Sequence, residues 1–104
     1  MPPLQIREAA AGGDWVLQPS GDLDMASAPD LDAHIAAAAR DHPDGLLIID
    51  LAGVRFMDSS GLRVLLRAAQ GRDGDSQRLR LRSPGRAVRR VVEVSGAEAL
   101  LPFE

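Results

Sequence analysis

From Leu46 to Leu51 the chain is apolar at every position except Asp50, the pattern of a strand covered on both faces. Helices are therefore expected on both sides of the sheet, or at least covering it completely. After a short connection and Asp58, apolar residues recur at Leu62, Leu65, Leu66 and Ala69, while Arg63, Arg67 and Gln70 fall on the other side. That spacing predicts an amphipathic helix, stopped by Gly71.

The same reading extends to both ends. Leu4 to Arg7 alternates as a short edge strand, Ala10 to Gly13 turns, and Trp15 to Pro19 forms a second strand in a hairpin with the first. Ser20 to Asp24 is a turn-rich acidic segment. Ser27-Ala28-Pro29-Asp30 places a hydroxyl at the N-cap, a proline in the first turn and a carboxylate at N3. Leu31, Ile35, Ala38 and Ala39 then predict a helix from about Ala28 to Arg40, ended by Asp41 to Gly45. Arg72 to Gln77 is a polar loop. Arg78 to Arg82 alternates strictly, with leucines inward and arginines toward solvent. Ser83-Pro84 caps a further helix with a Val88, Val91, Val92 stripe and Gly96 as its stop, and Ala97 to Phe103 supplies a last short strand. The order β-β-α-β-α-β-α-β predicts a single α/β domain, residues 1–104, on a mostly parallel sheet.

Composition narrows the function more than the fold. There is no cysteine, which excludes disulfides and thiolate metal sites, and His34 and His42 are the only histidines. Both are read as surface residues rather than ligands, so no metal and no cofactor are expected. All twelve basic residues are arginine, which removes Walker, Schiff-base and general-base lysines. Residues 1–50 carry nine acids against two arginines and residues 51–104 six against ten, a polarity of −7 and +4 within a net −3. Such polarity bears on partner surfaces rather than on fold. The start lacks the basic flank and apolar run of a signal peptide, and no apolar run approaches the roughly 18 residues of a membrane span. A cytoplasmic protein is the simplest reading.

The tetrad Asp58-Ser59-Ser60-Gly61 puts two hydroxyls where a strand gives way to a helix N-terminus. Unpaired backbone N–H groups and the positive end of the helix dipole meet there, so the place suits a phosphate. A nucleophile elbow needs G-x-S-x-G, but Met57 stands before Ser59 where the glycine should be, and both histidines precede the serine. A serine without a base is a poor nucleophile, so no catalytic residue is assigned. Neither G-x-G-x-x-G nor a P-loop occurs. The arginines from Arg78 to Arg90 have no interleaved aromatics, since Trp15, Phe56 and Phe103 lie elsewhere, and read as a solvated face rather than a nucleic-acid platform. Helix capping alone accounts for Asp58 and either serine. Gly61 goes beyond capping: it weakens the first turn and would keep the site open to close approach.

The run from Asp50 to Leu62, DLAGVRFMDSSGL, resembles the signature of STAS-domain anti-sigma factor antagonists. Gly21-Asp22-Leu23-Asp24 followed by Ala28-Pro29 is similar to that family's G-E-[LI]-D…A-P segment, and Ser83-Pro84 through Ser95-Gly96 to its penultimate helix. The resemblance implies a STAS-like α/β fold, a mostly parallel mixed sheet of four to five strands with three to four helices, in a bacterial protein that is a switch and not an enzyme. It implies that Ser59, the serine after the motif's aspartate, is phosphorylated by a GHKL-type partner that is both serine kinase and anti-sigma factor; Ser60 takes the family's Ser/Thr slot and is the second candidate. Only the dephosphorylated form would bind that partner tightly and free a sigma factor, and a PP2C-type phosphatase would restore it. A monomer fits this scheme, with no nucleic-acid or membrane partner. Asp24 and Asp58 match family acids beside the phosphorylation site, and Asp22 stands where glutamate is commoner. Met57 and Leu62 are candidate partner contacts, alongside Ser60 and Gly61. The chain also stops at Glu104, so the terminal helix often present in relatives is expected to be absent or vestigial. The competing expectation is a STAS scaffold, or a ligand-sensing accessory of a transporter or signalling complex, in which the tetrad is only a cap.

A phosphate on Ser59 is expected to be welcomed by its own helix N-terminus, with Asp24 and Asp58 adding like-charge repulsion toward a partner.

Overall fold

In the computed structural model, which describes residues 3–71 and 78–104, the chain opens as a hairpin. β1 (Gln5–Ala11) runs antiparallel to β2 (Asp14–Leu23), with Gly12 at φ 63° in the turn. There follow α1 (Ala28–Asp41), β3 (Leu47–Asp50), β4 (Gly53–Met57), α2 (Ser59–Gln70), β5 (Leu79–Arg82) and α3 (Arg86–Ser95). The strands form one sheet in the order β1-β2-β3-β5, with β4 also on β2, and every pairing except β1–β2 is parallel. The expected polar loop from Arg72 to Gln77 lies outside the described residues.

β2 runs four residues beyond the expected end at Pro19 because it serves two neighbours in turn. Trp15 to Leu17 pair with β3, and Ser20 to Leu23 pair with β4. Pro19 falls in the gap between these ladders, so its missing N–H forfeits no bond to either. The expected connection before Asp58 is itself a strand. Ala52 N donates to Asp50 Oδ1 at 3.0 Å, a local turn that ends β3 and lets the chain pair again with β2 as β4. Gly53 permits the close approach: a Cβ there would lie 2.9 Å from Ser20 Cβ and 3.0 Å from the Pro19 carbonyl.

The core lies on one face of the sheet. Leu17, Leu47, Ile49, Leu79 and Leu81 join residues of all three helices, among them Leu31, Ile35, Leu65, Val88 and Val92, in one cluster. Val16 and Ile48 point the other way and are buried outside that cluster. The register places Val16 on one side of Ile48 and Arg80 on the other within the sheet, and the buried apolar residues of the three helices all belong to the one cluster. The two-sided cover read from the apolar run is therefore not found; the α/β class and the mostly parallel sheet are.

Several local expectations also shift. The α2 stripe is turned slightly: Leu62, Val64, Leu65 and Ala68 are buried, whereas Leu66 and Ala69 are half-buried. Ser83 does not cap α3; it adopts φ 55°, and Gly85 takes the N-cap position. The last segment is a 3-10 turn at Glu98–Leu100, after which Phe103 makes a single parallel bridge to Leu81 rather than a strand. Leu81 N donates to the Pro102 carbonyl at 3.0 Å and Glu104 N to the Leu81 carbonyl at 2.9 Å, which covers that length of β5 edge. Among the described residues no helix is long and apolar enough to cross a membrane.

The histidines tie the hairpin to α1. His34 Nδ1 lies 2.7 Å from Glu8 Oε2, and His42 stacks on Trp15 with ring centroids 3.7 Å apart. Trp15 Nε1 donates to Glu8 Oε1 at 2.8 Å. Both histidines are half-buried and partnered rather than simply at the surface.

Candidate partner-binding site at the start of α2

The ends of β2 and β4 and the start of α2 meet at Asp58. Its backbone N–H donates to the Leu23 carbonyl at 3.2 Å, so the end of β2 fixes where the helix begins. Asp58 is extended (φ −111°, ψ −170°) and serves as N-cap: Oδ1 accepts from Ser60 N at 2.8 Å and Gly61 N at 3.2 Å. Ser59 is the first residue of α2 and exposed, and its hydroxyl has no hydrogen-bond partner among the described residues. Ser60 is half-buried.

This cap changes the electrostatics expected from the sequence. Two of the N–H groups that an anion could use are already held by a carboxylate, which also offsets the positive end of the helix dipole. A phosphate on Ser59 would have to share that end with Asp58. The helix terminus alone does not make it welcome.

Gly61 is also placed differently from expectation. It is buried, and a Cβ there would lie 2.7 Å from both Leu23 Cγ and Met57 Cγ and 2.9 Å from the Leu23 carbonyl. The close approach that requires glycine comes from the protein's own β2 and β4 and not from a partner.

The acids of the β2–α1 turn are largely structural. Asp24 Oδ1 accepts from Ala26 N at 3.0 Å and Ser27 N at 3.1 Å. Ser27, expected to cap α1 with its hydroxyl, makes no such bond; Oγ donates to the Asp22 carbonyl at 2.7 Å and accepts from Asp24 N at 3.0 Å. Asp24 remains half-buried, but Asp22 is only 9% exposed and offers little to a partner.

Met57 and Leu62 are core residues, 2% and 6% exposed, so neither is an available contact. Of the exposed apolar side chains, two lie near the site in sequence: Met25 (77%), one residue after Asp24, and Phe56 (45%), two before Asp58. Sequence reasoning missed both. Phe56 would face the core if β4 alternated strictly from Val54, but Gly21 and Asp22 pair with Val54 and Phe56, leaving Arg55 as an extra residue. That irregularity lets Val54 and Met57 both turn inward and sends Phe56 out. Met25 carried a usable signal: a methionine in an acidic turn, outside any apolar period.

Between α1 and α2, beside the serines, runs a groove of about 260 Å³ whose lining includes Met25, Pro29, Ser60, Arg63, Val64 and Arg67. Arg67 Nη1 lies 3.5 Å from Asp32 Oδ2 across it. Exposed methionine, half-covered serine and guanidinium groups together suit a protein surface. Among the described residues no group of histidines and acids could hold a metal ion.

The family model described as "Mlab, STAS domain" matches residues 6–102. An anti-sigma-F factor antagonist of Mycobacterium tuberculosis, RsfB, is 30% identical over 95 residues, 91% of this chain and 76% of that protein. The crystal structure of an anti-sigma factor antagonist from Mycobacterium paratuberculosis superimposes with a TM-score of 0.81 at 31% identity, covering 96% of this chain and 84% of the other. Unphosphorylated SpoIIAA, an anti-sigma factor antagonist, shares the fold with a TM-score of 0.73 at 24% identity, over 97% and 87% of the two chains.

Proposed function

The chain belongs to the STAS-domain family of anti-sigma factor antagonists, regulatory binding proteins rather than enzymes, and on that premise we propose that it is a phosphorylation-controlled partner switch. In its unmodified form it binds an anti-sigma factor and so releases a sigma factor. The anti-sigma factor is a GHKL-type serine kinase that transfers the γ-phosphoryl group of ATP to Ser59 Oγ; the hydroxyl proton leaves and ADP is released. A PP2C-type phosphatase reverses the change by hydrolysis.

One observation carries this reading. Ser59 is an exposed hydroxyl at the first position of α2, next to Ser60, which lines a groove that also carries the exposed Met25. The physical effect is local. A phosphate adds about −1.5 to −2 charge beside Asp58 and close to Asp24, in the middle of a surface that must be desolvated on binding. A penalty of about 3 kcal/mol weakens association roughly a hundredfold, enough to exchange partners.

The test is incubation of the full chain with ATP and candidate GHKL-type kinases, followed by intact mass. A single added phosphate that is lost in Ser59→Ala supports the assignment. A phosphate retained in Ser59→Ala but lost in Ser60→Ala moves the acceptor to Ser60. No phosphate from any candidate kinase favours a STAS scaffold or a ligand-sensing accessory subunit instead.

A further inference from the structure

The structure leaves open where a phosphate on Ser59 would find its counter-charge, because Asp58 already holds the N–H groups of Ser60 and Gly61. Resting on the reading of Ser59 as the acceptor, we propose that Arg63 pairs with that phosphate, and that the pairing withdraws Arg63 from the rim of the groove between α1 and α2.

Three observations converge on Arg63. It is four residues after Ser59 on the same helix, so the two side chains lie on one face with Cβ atoms roughly 5–6 Å apart. Helical side chains lean toward the N-terminus, which aims Arg63 back toward Ser59 rather than away from it. Arg63 is exposed and has no ion pair or hydrogen bond among the described residues, whereas its neighbour Arg67 reaches Asp32 and, further off, Arg82 is held by Glu104. A planar guanidinium also meets phosphate oxygens in a two-pronged fashion that an ammonium cannot.

The consequence is regulatory. Arg63 and Ser60 line the groove that carries Met25. With Ser59 unmodified, the Arg63 guanidinium stands free on that rim and fits a carboxylate of a docking partner. With Ser59 phosphorylated, it is engaged within α2, and the partner meets a phosphate where it had met a cation. The switch then works by removing an attraction as well as by adding a repulsion.

The experiment uses the full chain with phosphoserine genetically installed at position 59 and follows the phosphate by 31P NMR against pH. An arginine partner favours the dianion and lowers its second pKa from about 6. The titration midpoint is expected to rise by roughly 0.3 unit in Arg63→Gln, the size of an exposed helical pair. It should stay unchanged in Arg55→Gln, the other exposed arginine close in sequence, and recover in part in Arg63→Lys. Identical midpoints for the parent and Arg63→Gln overturn the proposal; a shift in Arg55→Gln alone reassigns the counter-charge and overturns it too. Because the phosphoserine is installed and not transferred, a failure to find any kinase for Ser59 would count against the function proposed above and leave this measurement able to succeed or fail separately.

Discussion

Asp58 Oδ1 lies 2.8 Å from the backbone nitrogen of Ser60, so the N-terminus of α2 is capped by a carboxylate before any phosphate arrives. The residue beside the candidate phosphosite thus has a structural task, and that task can be separated from its charge. Asp58→Asn keeps an acceptor oxygen and should leave stability nearly unchanged, since the two residues are equivalent caps. Asp58→Ala removes the acceptor from two N–H groups and should cost about 1 kcal/mol in urea unfolding. Equal losses for both variants would mean that the charge, and not the cap, holds the helix start.

Gly61 makes a second separable claim. On helix propensity alone, Gly61→Ala should stabilise α2 by up to about 1 kcal/mol. The built Cβ, however, lies 2.7 Å from Leu23 Cγ and 2.9 Å from the Leu23 carbonyl, and backbone cannot step aside cheaply. Overpacking of this kind costs about 1–3 kcal/mol, so a net destabilisation is expected. A measured gain in stability would show that the position is open, as the sequence alone suggested.

The exposed and the buried apolar residues named as possible contacts predict opposite phenotypes. Met25→Ala and Phe56→Ala should weaken binding to the anti-sigma partner tenfold or more, a loss of about 1.4 kcal/mol each, with stability intact. Met57→Ala and Leu62→Ala should instead lose about 2–5 kcal/mol of folding stability, because both side chains fill the core. Ser59→Ala should bind that partner constitutively and Ser59→Asp poorly, by calorimetric titration. Equal affinities for the last two would sink the switch.

Those pairs also mark how far the sequence could be read. The β3 run, the α1 and α2 periods and the alternation of β5 all express burial, and burial is what hydrophobic period reports. β4 escaped because its inward residues, Val54 and Met57, are three apart, a spacing that only an irregular step in the ladder allows. Phe56 escaped with it, sent outward by that same step, and Met25 was marked only by its place in an acidic turn, outside any apolar period. That Asp58 and Ser59 stand at a helix start was legible from the motif, and Asp58's capping was legible from its type. What was hidden was competition: only coordinates show one carboxylate holding the donors that a phosphate would otherwise use.

Acid stability supplies the last prediction, and it concerns the hairpin end of α1 rather than the tetrad. Burial pushes the Glu8 carboxyl up, but hydrogen bonds from Trp15 and His34 outweigh it and hold the group below its ordinary value of 4.5. A carboxyl depressed in the folded state contributes stability that is fully present above its unfolded value and is lost as pH falls through the folded one. Glu8→Gln keeps an acceptor for the Trp15 indole and removes the charge. Its deficit relative to the parent should be at most about 1 kcal/mol at neutral pH, as for an exposed pair, and should shrink steadily below pH 4.5. Urea unfolding followed through Trp15, the only tryptophan in the chain, measures both curves, and the His42 ring stacked on that indole makes the signal sensitive to the hairpin's attachment. Parallel curves down to the acid limit would show that the Glu8 charge does not stabilise the fold.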